Sequence, residues 1–178
     1  MRYADHYVGK LVDDLKRLGI YDDTVIIVSA DHGENQGELN IWGDHQTADH
    51  ITNRVPLIVR WPGVTDGQAG SVRNGLHYHL DLPATLIELL GGTQPEAWDG
   101  TSFAADLSAT SDGGRDYLVI SQGAWSCQRA VRWDNWLLIR TYHTGLKDFP
   151  AYMLFDVDAD PHETTNLAAA RPDVLGDG

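Results

Sequence analysis

The chain has 178 residues, with 13 Lys and Arg against 26 Asp and Glu, giving a formal net charge of -13. That balance excludes a nucleic-acid partner, because neutralising phosphates needs clustered cations, and it leaves any anionic substrate to be drawn in by local features. One cysteine excludes an intramolecular disulfide, no apolar run approaches the ~18 residues of a membrane span, and no leader pattern is read at Met1, so localisation and oligomeric state stay open.

Apolar residues at Val8, Leu11, Val12, Leu15 and Leu18 follow helical spacing and Gly19 suits a C-cap, which predicts a core-facing helix over 5 to 18. The apolar run from Thr24 to Ala30 reads as a buried parallel strand that delivers Asp31-His32-Gly33-Glu34 to its carboxyl end. Open α/β sheets keep their chemistry at that end. Asp and His both ligate metals and a glycine lets the backbone turn away sharply, so metal-assisted chemistry is the first hypothesis for Asp31 and His32. An Asp-His turn that caps the next helix is the plain alternative.

A short helix is expected around 34 to 40, a strand over 55 to 61, and a Gly-rich loop from Pro62 to Gly75. Residues 82 to 90 read as a helix with Pro83 in its first turn and Asp81 as N-cap. Residues 108 to 116, rich in Ser, Asp and Gly, read as a linker. Strands then follow at 117 to 120, 129 to 133, 136 to 142 and 152 to 155, with Asp134-Asn135 as a tight turn. Connections this short favour antiparallel pairing. The expected architecture is therefore α/β: a mostly parallel sheet flanked by helices over 1 to 107, a linker, and a small antiparallel subdomain over 117 to 178.

Several residues have bland readings. Asp13 and Asp14 lie on a solvated helix face, and Cys127 reads as a small buried residue near a strand. His77, His79 and His143 are explained by packing or strand edges, and His50 by helix-facing structure. Asp156, Asp158 and Asp160 open like a calcium loop, but Pro161 and Leu167 stand where glycine and a bidentate Glu are required, so a polar turn is the better account.

Five ordered segments together resemble the sulfatase family of the alkaline-phosphatase-like superfamily: Asp31-His32-Gly33-Glu34; the His-bearing stretch leading into Arg54-Val55-Pro56-Leu57-Ile58-Val59-Arg60-Trp61-Pro62-Gly63; Asp81-Leu82-Pro83-Ala84-Thr85; Asp99-Gly100-Thr101-Ser102; and Leu154-Phe155-Asp156 through Asp160-Pro161-His162-Glu163 to Asn166-Leu167. The resemblance covers the C-terminal part of that fold. It implies that Asp31 and His32 ligate a divalent cation, usually calcium, with the imidazole leaving room for manganese, magnesium or zinc. It also implies a formylglycine nucleophile made from Cys/Ser-x-Pro-x-Arg and a further pair of aspartates, neither of which has a counterpart here. The family carries Gly-Glu/Asp-His after the metal pair, whereas Gly37-Glu38 is followed by Leu39; His45, ten positions before Val55, stands where a family lysine would. A catalytic or substrate-binding role for His45 follows. The substrate implied is a small-molecule or carbohydrate sulfate ester, with a phosphomonoester or phosphonate ester as the alternative. A truncated product or binding partner without activity is the non-enzymatic reading, and the chain by itself is expected to show negligible turnover.

Overall fold

The computed structural model describes residues 2–108 and 112–176. It opens on α1 (Arg2–Arg17), which carries Asp5 in its first turn and Lys16 and Arg17 in its last, the charge order that suits the helix dipole. No residue of α1 is buried, so its apolar stripe, expected to face a core, has Tyr7, Val8 and Leu11 exposed. β1 (Ile26–Ser29) follows, and β4 (Leu57–Arg60) pairs with it. The Arg60 guanidinium donates to the carbonyls of Tyr21 (2.8 Å) and Thr24 (2.9 Å) and lies 3.9 Å from the Tyr21 ring centroid, fastening β4 to the turn after α1.

The parallel pairing expected of these strands is not found among the described residues; β1 and β4 run antiparallel, with Ser29 opposite Leu57 and Ile26 opposite Arg60. Direction is set by where the chain comes back. Residues 30–56 contain no helix long enough to carry the chain along the sheet, and they return to the edge they left, where the Ser29 hydroxyl donates to the Pro56 carbonyl at 2.9 Å.

The helix expected around 34 to 40 is also replaced. β2 (Asn35–Gln36) pairs with β3 (Trp42–Asp44) around a single tight turn at Glu38–Asn40. Leu39 (φ 51°) and Asn40 (φ 57°) occupy the left-handed region, which an α-helix cannot accommodate. One short helix, α2 (His50–Asn53), then leads to β4.

α3 (Asp81–Leu89) forms as expected, but Asp81 is not its cap. The buried carboxylate turns away from the helix, accepting from the backbone N–H of Tyr78 and of Thr101 (both 2.7 Å) and from Arg115 at 2.6 Å. Burial works against ionisation here, yet Arg115 and the two backbone donors hold the Asp81 carboxyl below the usual carboxylate range. α4 (Ala104–Ser108) packs on α3 through Thr85, whose hydroxyl accepts from Phe103 N at 2.9 Å. Part of the expected linker, residues 109–111, lies outside the described residues. Beyond it, Arg115 N donates to Leu76 O at 3.0 Å.

The remaining strands form one antiparallel sheet, as expected: β5 (Tyr117–Gln122), β6 (Cys127–Trp133), β7 (Trp136–His143) and β8 (Tyr152–Asp156), side by side in chain order. The β6–β7 turn places Asp134 at φ 41°, a conformation aspartate tolerates better than most residues. One sheet face builds a core from Ala130, Leu137, Ile139, Met153 and Phe155, and Ala48 from the first half of the chain inserts into it, fully buried. The other face packs Leu138 and Leu154 against Val174 of α5 (Pro172–Leu175). Cys127, expected to be buried, is exposed, because it sits at the first position of β6 on the solvent-facing side of the alternation.

Candidate metal and acid-base site

Four chemistry-bearing residues converge just beyond β1. The fold brings them together through Gly33, whose N–H donates to Thr52 O at 2.8 Å. A Cβ at that position would overlap the Ile51 carbonyl, so only glycine lets the strand end approach α2 this closely. The resulting kink turns Glu34 back toward His45. The His45 Nδ1 lies 3.2 Å from Glu34 Oε2, and its ring stacks on His32 with centroids 3.6 Å apart.

His32 is oriented by its surroundings. Its Nδ1 is 2.8 Å from Gly33 O, an acceptor only, so Nδ1 donates there and the ring turns Nε2 the other way. That Nε2 faces Asp31 Oδ2 at 3.6 Å. The Asp31 carboxyl is held below the usual carboxylate range by its own backbone N–H first, then by the His32 N–H and the His32 ring, so it is ready to ligate as an anion. Asp31 is widely exposed, and His32, Glu34 and His45 are each roughly 40% exposed. The cluster therefore lies open at the edge of the fold.

Among the described residues, His32, Glu34 and His45 form a group whose ligand atoms all lie within 4.8 Å of one another. An imidazole nitrogen among carboxylates is a donor set that suits a divalent cation of borderline softness such as manganese or zinc better than calcium, which favours an all-oxygen shell.

Behind this cluster lies a buried polar network. Asp49 caps α2, accepting from Thr52 N at 2.9 Å and from the Thr47 hydroxyl. Asn35 donates to Thr52 Oγ1 at 3.0 Å and to Asp49 at 3.4 Å. The other expected sites fall elsewhere. His77 pairs with Asp106 at 3.2 Å against the Phe103 ring, His143 accepts from Gly145 N, and Asp156 closes a turn by accepting from the N–H groups of Asp158 and Ala159. His50, half-buried at the start of α2, is pushed down to about 4, by burial first and by Arg54 and Arg132 after it.

The sequence profile of the family described as Sulfatase matches residues 1–92, more than half of the chain and the whole of the converging cluster. The chain belongs to the sulfatase family. Choline-sulfatase from Rhizobium meliloti (strain 1021) is 31% identical over 177 residues, which cover 93% of this chain and 31% of that protein. A solved structure in complex with its substrate, D-glucosamine-2-N,6-O-disulfate, matches at a TM-score of 0.83 and 23% identity, covering 97% of this chain and 36% of that one, a likeness of fold. The phosphonate monoester hydrolase of Agrobacterium radiobacter matches at a TM-score of 0.75 and 26% identity, over 97% of this chain and 37% of that one. This sulfatase chain thus spans about a third of the length of the relatives it matches.

Sequence reasoning singled out Asp31, His32 and His45 but not Glu34. Its signal was present: it follows the one glycine that redirects the chain.

Proposed function

We propose that this chain supplies the metal-binding and acid-base wall of a hydrolase acting on sulfate esters, of small molecules or carbohydrates. The observation that carries this is the convergence of Asp31, His32, Glu34 and His45 at one strand end inside the segment that matches the family. Asp31, His32 and Glu34 are assigned to hold a divalent cation. Such a cation would supply positive charge against the sulfuryl oxygens and the attacking group. Calcium is the cation the family resemblance suggests, and the imidazole donor favours manganese or zinc.

His45 is assigned the proton. Its Nδ1 is engaged by Glu34, which orients the ring and leaves Nε2 to bind a sulfuryl oxygen or to protonate the departing alcohol. The nucleophile is assigned to sequence outside this segment, because Cys127 is followed by Gln128-Arg129 and not by a Cys/Ser-x-Pro-x-Arg pattern. A carbohydrate sulfate is supported by the neighbouring fold that holds a sulfated glucosamine. A second reading, hydrolysis of phosphonate or phosphate monoesters, is favoured by the 26% identical phosphonate monoester hydrolase. The division into a catalytic part over 1 to 107, a linker, and a subdomain over 117 to 178 belongs to the same proposal, as does a parallel sheet in the complete fold.

The test is titration calorimetry of the purified chain with Mn2+. One equivalent is expected to bind, with affinity falling at least ~10-fold in Asp31→Ala and in His32→Ala. An unmodified chain that binds no Mn2+, Zn2+ or Ca2+ sinks the proposal. With an aryl sulfate and an aryl phosphonate the chain alone is expected to give no turnover, because a partial site loses orders of magnitude in rate. Turnover that disappears in Asp31→Ala would place a nucleophile within these residues.

A further inference from the structure

Gln128 lies on the middle of a sheet that contributes no member of the converging cluster, yet its side chain is 1% exposed and fully occupied. Its Oε1 accepts from Ala48 N at 3.0 Å, and its Nε2 donates to Thr141 Oγ1 at 3.1 Å. Two neighbours act on the same stretch of backbone. The Ser126 hydroxyl donates to Gln46 O at 2.9 Å, and Gln122 Nε2 donates to His45 O at 3.4 Å. Three side chains, two from the C-terminal sheet and one from its β5–β6 turn, therefore grip His45, Gln46 and Ala48, while the Ala48 methyl is seated in that sheet's core.

We propose that Gln128, assisted by Ser126, is a positioning residue for His45: the C-terminal sheet sets the place of the imidazole by holding the backbone on its carboxyl side. This rests on the reading of His45 as a functional group. The chemistry calls for glutamine at 128. Ala48 N is buried and needs an acceptor, and Thr141 next to it takes a donor; a primary amide supplies both from one side chain, where a carboxylate supplies only acceptors and an alkyl chain neither. Loss of the Oε1 acceptor leaves Ala48 N–H without a partner, so the loop must lift toward water. His45 moves with it, off the His32 ring and away from Glu34.

The experiment uses the full chain and isotope-edited NMR. In Gln128→Met, of similar length and apolar, the Ala48 amide is expected to exchange at least ~10-fold faster and the His45 ring resonances to shift, as they leave the stacked His32 ring. Gln128→Glu, which keeps an acceptor for Ala48, is expected to restore most of both. Ser126→Ala gives a smaller shift in the same direction, and carries the test if Gln128→Met does not fold. Ile139→Val, a loss of core packing on the same sheet, lowers stability without moving His45. A His45 spectrum unchanged in both Gln128→Met and Ser126→Ala, or moved as much by Ile139→Val, overturns the proposal. Addition of Mn2+ separates it from the functional reading: line broadening at His32 that reaches His45 in the unmodified chain and weakens at His45 alone in Gln128→Met supports both. An unmodified chain untouched by Mn2+ refutes the metal assignment while the metal-free shifts still decide the role of Gln128.

Discussion

Glu163 accepts from His50 N at 3.1 Å, is 3% exposed, and holds a left-handed φ of 52°. Its second oxygen has no hydrogen-bond partner among the described residues. Burial, with Asp49 close behind, pushes its carboxyl up to about 8 from an ordinary 4.5. A carboxyl raised on folding favours the folded state when protonated, so this stability is fully present below pH 4.5 and is lost as pH rises to about 8. His50 works the other way: lowered to about 4 from 6.5, it contributes stability above 6.5 that is lost as pH falls toward 4. Between 4.5 and 6.5 the two slopes oppose one another. The melting temperature is expected to be nearly flat across that interval and to decline from pH 6.5 to 8. Glu163→Gln should abolish the decline and expose the rising His50 limb below 6.5. A difference in melting temperature between the two proteins that does not vary with pH would contradict a buried neutral carboxyl.

At the level of elements, Asp81 does the joining. It stands at the start of α3 but binds the backbone at Tyr78, the backbone at Thr101 ahead of α4 and the residue two before β5, Arg115. Removing one member of a buried charge pair leaves the other uncompensated, at a cost of about 3–5 kcal/mol. Arg115→Met is accordingly expected to lower the unfolding free energy obtained from urea titration by that order, whereas the double variant with Asp81→Leu should recover part of the loss. The helix itself was legible from Pro83 and its apolar spacing; its cap was not, because the sequence cannot say that a distant arginine and two backbone amides will compete for the Asp81 carboxylate. The same limit applied at β1. Its apolar run was readable, but its pairing direction depends on the path of residues 30–56. The late sheet was readable throughout because its turns are short enough to dictate direction locally. Gln128 escaped notice because a polar residue inside an alternating strand looks solvent-facing until its partner, eighty residues earlier, is known.

Across the whole molecule, apolar surface is unevenly covered. The C-terminal sheet is packed on both faces, while α1 has no buried residue and Ile58 on the β1–β4 pair is 62% exposed. Contiguous apolar faces of this kind drive association. The purified chain is expected to bind a hydrophobic dye and to elute ahead of a 19.7 kDa monomer, and Leu11→Glu should reduce both; a dye-silent monomer would show that the faces are shielded. The net charge of -13 limits how far such association proceeds at low salt.

The hydrogen bonds that hold the His45 loop also impose an order on biosynthesis. Asp31 to His45 leave the ribosome before their backbone supports, which arrive with Gln128, and Glu163, which holds His50, arrives 113 residues after the group it holds. At translation rates of about 5–20 residues per second, His50 waits roughly 6–23 s for Glu163 to emerge. During that interval the imidazoles are tethered but not arrayed. A ribosome stalled ahead of Gln128 would display the residues of the site without the site.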